Sequence, residues 1–300
     1  MTENAPSAIL QGASQIKIIW LRLIRSKTAL LGFIIVVVYL ILALFGPLLT
    51  QYDPFLQNLD LSYSPPSLEH FFGCDEYGRD ILSRILYGAR VSLIIQTGAI
   101  AFSLIAGLIL GALGGYFGGL PDEVLMRAID ILLAFPGMLL SLAIVAILGP
   151  SLHNLIIATG INSIPGFARV TRGAVISVRE NDYVAAARTI GESHFSIILR
   201  YILPNAISPI IVQTTMRMAT VLLTAASLGF LGLGVQPPSP EWGTMLSAAR
   251  IYLRSAPFVA IFPGLAIMIV VLGFNFLGDG LQDALNPRLK IKGGRLNAGL

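Results

Sequence analysis

The sequence predicts an all-α membrane protein: six transmembrane helices, an external amphipathic helix and a short cytoplasmic helix suited to docking. Three observations carry this. The 300 residues are 55% hydrophobic and only 12% charged, with a mean hydropathy of +0.78, which leaves too little charge to coat a soluble domain. Apolar runs long enough to cross a hydrocarbon core of roughly 30 Å recur along the chain. Basic residues gather at alternate ends of those runs, the distribution that encodes orientation in a membrane.

In chain order, Lys17, Arg22, Arg25 and Lys27 precede the charge-free run 29–49, a first span with its basic end in the cytoplasm. That run is too long for a cleavable signal, so it is expected to be retained. Residues 51–90 form a polar external segment. Its end, 79–86, has apolar pairs at helical spacing and Asp80–Arg84 four apart, which predicts an amphipathic helix at the outer interface. The second span is 91–114. Gly107, Gly111, Gly115 and Gly119, the last of them running into the turn that follows, recur every four residues and mark a stripe for close helix packing.

A glycine-rich turn leads to a third span, 124–148, which carries Arg127, Asp130 and Pro136. The fourth, 152–170, is interrupted by Asn162, Pro165 and Gly166. The fifth, 204–230, holds Arg217, and a Gly/Pro-rich segment separates it from the sixth, 258–278. Six spans place both termini on one side. Arg79, Arg84, Arg90, Arg250 and Arg254 then fall outside, and the other basic residues assigned a side fall inside. The chain divides into a tail with the first span (1–50), an external segment (51–90), a five-span core (91–287) and a cytoplasmic tail (288–300).

The stretch 183–205, YVAAARTIGESHFSIILRYILPN, is a polar cytoplasmic island between apolar blocks. Ala185, Ala186 and Ala187 give it a small-residue face that lets another protein come close. Gly191 and Pro204 let both ends of a helix over 183–196 bend.

Several chemistries are excluded. The net charge of +4 is dispersed and is no nucleic-acid footprint. No lysine follows a glycine, so there is no P-loop. His70, His153 and His194 lack metal-ligand spacing. Cys74 is the single cysteine, excluding an internal disulfide; beside Asp75 it reads as an incidental or a reactive thiol. Asp130 and Arg217 lie inside spans, where charge is costly, so they line a polar pathway or form a mutual ion pair, or else Arg127 and Asp130 snorkel to the cytoplasmic interface. An ion-coupled secondary transporter using both residues, or an assembly subunit with no pathway, stands as an alternative.

Three separated motifs carry a resemblance. Ala185-Ala186-Ala187 with Gly191 and then Leu203-Pro204 resembles the EAA loop of ABC importer permeases. The run Phe72 to Asp80, with Ser83-Arg84 and Tyr87-Gly88-Ala89-Arg90, is similar to the external motif of the dipeptide/oligopeptide/nickel branch. Gly229 to Gly234, Gln236 to Gly243 and Asn275 to Gly280 resemble that branch's C-type subunit, and Phe135-Pro-Gly-Met with Ser163 to Arg169 its glutathione-type members. Ala185 stands where the family's loop often begins with Glu, and Tyr201 where it prefers Ile.

The resemblance implies a non-catalytic permease subunit in a bacterial inner membrane, importing peptides or else nickel, opine or glutathione-like solutes. It would pair with a homologous permease, two ABC ATPases and a periplasmic or lipid-anchored solute-binding protein, with lipid around it. ATP and Mg would be used by the ATPases, and this chain would bind no cofactor. Tyr183, Ala185, Ala186, Ala187, Gly191, Glu192, Leu203 and Pro204 would couple to an ATPase. Asp130 and Arg217 would line the pathway. Asp75, Arg79, Asp80 and Trp242 would meet the binding protein, with an interfacial anchor as the other reading of Trp242.

Overall fold

The computed structural model describes residues 20–285 except 22 and 25. The tail 288–300, and the tail cations Lys17, Arg22, Arg25, Arg288, Lys290, Lys292 and Arg295, lie outside those residues. Among the described residues the chain is helical, apart from loops and one isolated bridge between Cys74 and Asp80.

Helix α1 (Lys27–Leu49) starts at Ser26, whose hydroxyl accepts from the Ala29 amide. Helix α2 (Ile81–Phe117) is the longest, 37 residues or about 55 Å at ~1.5 Å per residue, well beyond the hydrocarbon thickness. It starts at Asp80, whose carboxylate accepts from the Ser83 amide at 2.7 Å, and stops at Gly118 with φ +67°. The external amphipathic helix expected over 79–86 is therefore not separate. Nothing between Leu86 and Val91 breaks a helix, so 81–86 are the first turns of α2, and the boundary drawn at residue 90 falls inside it.

The expected third span is two helices, α3 (Gly119–Leu133) and α4 (Gly137–Leu148), bent by 83° at Pro136. Proline lacks an amide donor and disfavours helical backbone in the residue before it, so α3 ends ahead of it. Helix α5 (Leu152–Arg179) runs unbroken through Asn162, Pro165 and Gly166, past the expected end at 170. Buried packing holds Pro165 in line.

The docking island is also rearranged. Helix α6 (Asp182–Thr189) is shorter than the expected 183–196, because Gly191 takes φ +82° and Ser193 caps a new turn. A wide helical turn (Ile197–Ile202) and a tight one (Leu203–Asn205) lead into α7 (Ile207–Phe230). Helix α8 (Trp242–Ala249) lies in the Gly/Pro-rich segment, and α9 (Phe258–Leu285) closes the bundle. By length and composition α1, α2, α7 and α9 can each cross a membrane, and α3 with α4 makes a fifth if the bent pair is one span. Helix α5 is 28 residues long but less apolar.

The most extensive helix contact is α2 on α5. Side chains added at Gly107, Gly111 and Gly115 would run into Phe167, Thr171 and Val175, so this part of the glycine stripe is a packing seam. Gly119 has nothing near it and starts α3 instead. Helix α1 packs on α9 through Gly32, Gly273 and Gly280. Inside the bundle the Tyr39 hydroxyl donates to Gln96 Oε1 at 2.6 Å, and Gln96 Nε2 donates to the Met218 carbonyl at 3.0 Å. That relay ties α1, α2 and α7 with no unpaired amide in hydrocarbon.

A side chain in the α2–α5 seam should cost what overpacking costs, about 1–3 kcal/mol. Gly111→Val is expected to lower the thermal unfolding midpoint of the detergent-solubilised protein. Gly173→Ala, on open α5 surface, should leave it unchanged.

Candidate functional site

Three places gather the chemistry: the C-terminal end of α2, its N-terminal end, and one face of α7.

At the C-terminal end, Tyr116 is the anchor for the segment 182–205. Its hydroxyl meets His194 Nδ1 at 2.7 Å, and the Arg188 guanidinium lies 5.1 Å from its ring centroid. Its carbonyl and that of Gly115 accept from Arg179 Nη1 at 3.1 and 2.9 Å, satisfying the last turn of α2. Val184, Ala187, Ile197, Ile198 and Ile202 bury against Ala112, Tyr116 and Val175. Nearby, Arg172 holds Asp122 with two bonds of 2.6 Å, fixing the start of α3 against α5.

Of the eight expected coupling residues, Tyr183, Ala185, Ala186, Gly191 and Pro204 are exposed, Glu192 and Leu203 are half-buried, and Ala187 is buried. Ala187 thus packs inward, and the outward small face is Ala185 and Ala186. Exposed Ile190 and Phe195 flank it, at 76% and 73% exposure, too apolar to face water unaided. The sequence reading missed Tyr116, Arg179, Arg188 and His194, because their contacts join segments far apart in the chain.

At the N-terminal end of α2, Asp75 Oδ1 accepts from the Tyr77 and Arg79 amides at 2.9 and 3.0 Å. Its Oδ2 meets Arg79 Nε at 2.7 Å and Arg84 Nε at 3.3 Å. Arg84 also donates to the Pro54 carbonyl, and Asp80 Oδ1 meets His70 Nδ1 at 2.9 Å. A side chain at Gly78 would collide with the Asn58 backbone. Residues 54–80 are thereby knotted onto the head of α2. Beside the knot lies a cavity of about 210 Å³ between Arg79, Arg84 and the Pro237–Ser239 loop. Burial, with Asp80 and Asp75 adding to it, pushes the Cys74 thiol up to about 11, so the buried cysteine is no reactive thiol.

The expected binding-protein contacts are corrected here. Asp75, Arg79, Asp80 and Trp242 are all buried, at 5% exposure or less, and their side chains hold this chain together. Trp242 is no interfacial anchor either. Its Nε1 donates to the Ile85 carbonyl at 3.0 Å and its ring packs on Gly88 of α2. The surface over the knot is instead Tyr77, Phe71, Leu68 and Leu59.

Next to Trp242, Glu241 is buried and forms no ion pair among the described residues. Its two oxygens cap α8, accepting from the Gly243 and Thr244 amides at 2.8 and 2.9 Å. Burial pushes this carboxyl up to about 7, against the lowering pull of those two donors.

Along α7, Gln213, Arg217, Thr220, Thr224 and Ser227 follow one another at spacings of four and three, a single polar stripe. The stripe is not fully buried: Thr220 is exposed, the others are half-buried, and the Arg217 guanidinium lies against Gly166 of α5. The Thr220, Thr224 and Ser227 hydroxyls donate to carbonyls one turn back. Asp130 does not pair with Arg217. It meets Arg169 at 2.7 Å on an exposed part of α3, so the mutual ion pair expected of those two is corrected. The stripe's regular spacing was legible in the sequence, where Arg217 alone was singled out.

Residues 103–291 match the family described as the binding-protein-dependent transport system inner membrane component, and 14–66 match the N-terminal transmembrane domain of oligopeptide transport permease C. The chain belongs to that inner-membrane component family. Among its relatives, the dipeptide transport system permease protein DppC of Alkalihalophilus pseudofirmus is 50% identical, over 89% of this chain and 88% of that protein. The di/tripeptide transport system permease protein DppC of Pseudomonas aeruginosa is 45% identical, over 96% and 97%. The glutathione transport system permease protein GsiD of Escherichia coli O157:H7 is 46% identical, over 90% of each.

The fold is shared with a chain of the MetNI methionine ABC transporter, at TM-score 0.56 and 18% identity over 68% of this chain and 96% of that one. Family membership makes this chain a permease component of an ABC importer, which removes the ion-coupled secondary transporter.

The Glu241 pKa carries a testable sign. A carboxyl raised from 4.5 to about 7 on folding binds its proton more tightly when folded. Its stabilising contribution is therefore full below pH 4.5 and is lost as pH rises through about 7. Glu241→Gln should flatten that part of the unfolding-midpoint profile, measured against wild type between those two pH values.

Proposed function

We propose that this chain is one of two homologous permease subunits of an ATP-driven importer for di- and oligopeptides. Six crossings with both termini in the cytoplasm fit its basic residues. Its relatives' names support the solute class, and the glutathione-named relative keeps a glutathione-like solute as the second reading. ATP and Mg would be handled by two ABC ATPase subunits. A binding protein would land on the outer loops around Tyr77 and Phe71.

The observation that carries this reading is the seating of 182–205 on the end of α2. An exposed patch of Ala185, Ala186, Ile190 and Phe195 faces away from the chain, while Tyr116, Arg179 and Arg188 fix its back. Such a patch suits an ATPase cleft: the small residues admit its backbone, and the two apolar side chains leave water on docking. Closure of the ATPases would push the patch, and the push would pass to α2 as a whole. With Ala in place of Glu at position 185, the contact rests on shape, not on a charge pair. The polar stripe of α7, with Arg217, would line the passage, because a guanidinium in a span costs about 3 kcal/mol unless it faces protein or water. Asp130, paired on exposed α3, would sit at the cytoplasmic rim.

In the reconstituted complex, Tyr116→Phe and Gly191→Val should each cut solute uptake per ATP hydrolysed by about tenfold, the factor that ~1.4 kcal/mol represents. Pull-down of the ATPases checks assembly. Unchanged uptake and unchanged binding-protein-stimulated hydrolysis in both variants would remove the coupling role.

A further inference from the structure

Among the described residues, Arg217 is a cation in the middle of a span that has a seat in the fold but no counter-charge. It occupies the middle of α7, 11 residues from its start at Ile207 and 14 from its end at Phe230, counting both ends. A side chain on Gly166 of α5 would strike its guanidinium, so α5 is pared back to bare backbone where the group lies. No ion pair or hydrogen bond reaches it among the described residues. Three acids are taken, Asp130 by Arg169, Asp122 by Arg172 and Glu241 by its own helix cap, and no ion pair joins exposed Asp279 or Asp283 of α9 to Arg217. The rest of the stripe is neutral, and its hydroxyls are bonded back to their own helix. What the stripe lacks is an anion.

We propose that Arg217 is the permease's own recognition group for the solute, and that it takes a free carboxylate of the molecule in passage. This rests on the reading that the α7 stripe lines the pathway. The chemistry fits: a guanidinium presents a planar fork of donors to a carboxylate, and out of bulk water that pairing gains strength. The flanking Thr220 and Thr224 offer hydroxyl oxygens of no fixed demand, so the anionic end is registered and the rest of the solute is not. A solute whose carboxylate is capped as an amide loses the contact, and the guanidinium then faces the passage unpaired. A partner subunit's acid seated on Arg217 would predict no such discrimination.

The test uses the assembled transporter in membrane vesicles. Thr220→Cys, one turn from Arg217, is labelled with two methanethiosulfonates of similar size, the anionic sulfonatoethyl and the cationic trimethylammonioethyl reagents. Labelling of the parent protein, which carries buried Cys74, is subtracted. The proposal expects both reagents to react, the anionic one favoured. That preference should fall by about tenfold in Arg217→Gln and persist in Arg217→Lys, as expected for one charge about 6 Å away. Millimolar dialanine should slow labelling, and its C-terminal amide should not. If neither reagent reaches position 220 in any nucleotide state, the pathway reading fails and the proposal falls with it. If both react but the preference ignores Arg217→Gln, or the amide protects as well as the free acid, the pathway stands and the carboxylate role is wrong.

Discussion

The close approach of α2 and α5 is the constraint on which the rest depends. Gly107, Gly111 and Gly115 let the two helices pack backbone against side chain, with Phe167, Thr171 and Val175 filling the space a Cβ would need. In hydrocarbon there is no hydrophobic force between helices, so such contact and a few buried hydrogen bonds supply the cohesion. The pair becomes a single stiff body. Because α2 is about 55 Å long, that body reaches beyond the membrane core at its ends.

What is fastened to those ends then explains the sequence motifs. The outer motif, Asp75 to Arg84, is a knot that caps α2 and ties down the external loop. Its charges look inward because each has a partner within the knot. The polar island 183–205 is seated on the other end by Tyr116, which meets His194 and Arg188 and whose carbonyl is capped by Arg179. A loop signal and a docking signal, separate in sequence, are two ends of one helix. Trp242 joins the same body by hydrogen-bonding the Ile85 carbonyl of α2. Coupling between the two faces of a membrane would need a stiff element between them, and α2 is long enough to supply it.

Much of this was legible in the residues, and what was not has physical causes. The spans around 29–49, 207–230 and 258–278 follow from apolar length, which tertiary contacts do not overrule. The glycine period pointed to the α2–α5 seam before any partner was known. Pro136 broke a span and Pro165 did not, and the proline itself cannot tell the two cases apart. Pro136 follows exposed Ala134 and Phe135, whereas Pro165 is buried among neighbours that hold the helix straight. The charges of the external motif read as a landing surface because charge usually faces solvent. Nothing in a sequence announces that Asp75 gathers Arg79 and Arg84. Tyr116 was invisible for the same reason, since its partners lie more than sixty residues away. The α7 stripe was visible and passed over, because Arg217 drew attention and the hydroxyls at its spacing did not.

The central claim is that the docking segment and α2 move as one body. It is tested most directly by pulsed electron paramagnetic resonance on the assembled transporter, with spin labels at Phe195 on the docking segment and Phe117 at the end of α2, both exposed. A second pair, Phe195 and Ile131, reports on α3. Between the nucleotide-free and ATP-trapped states the account predicts an unchanged Phe195–Phe117 distance, whatever the other pair does. A Phe195–Phe117 distance that shifts between the two states would contradict it, because the docking segment would then be sliding on α2 instead of carrying it.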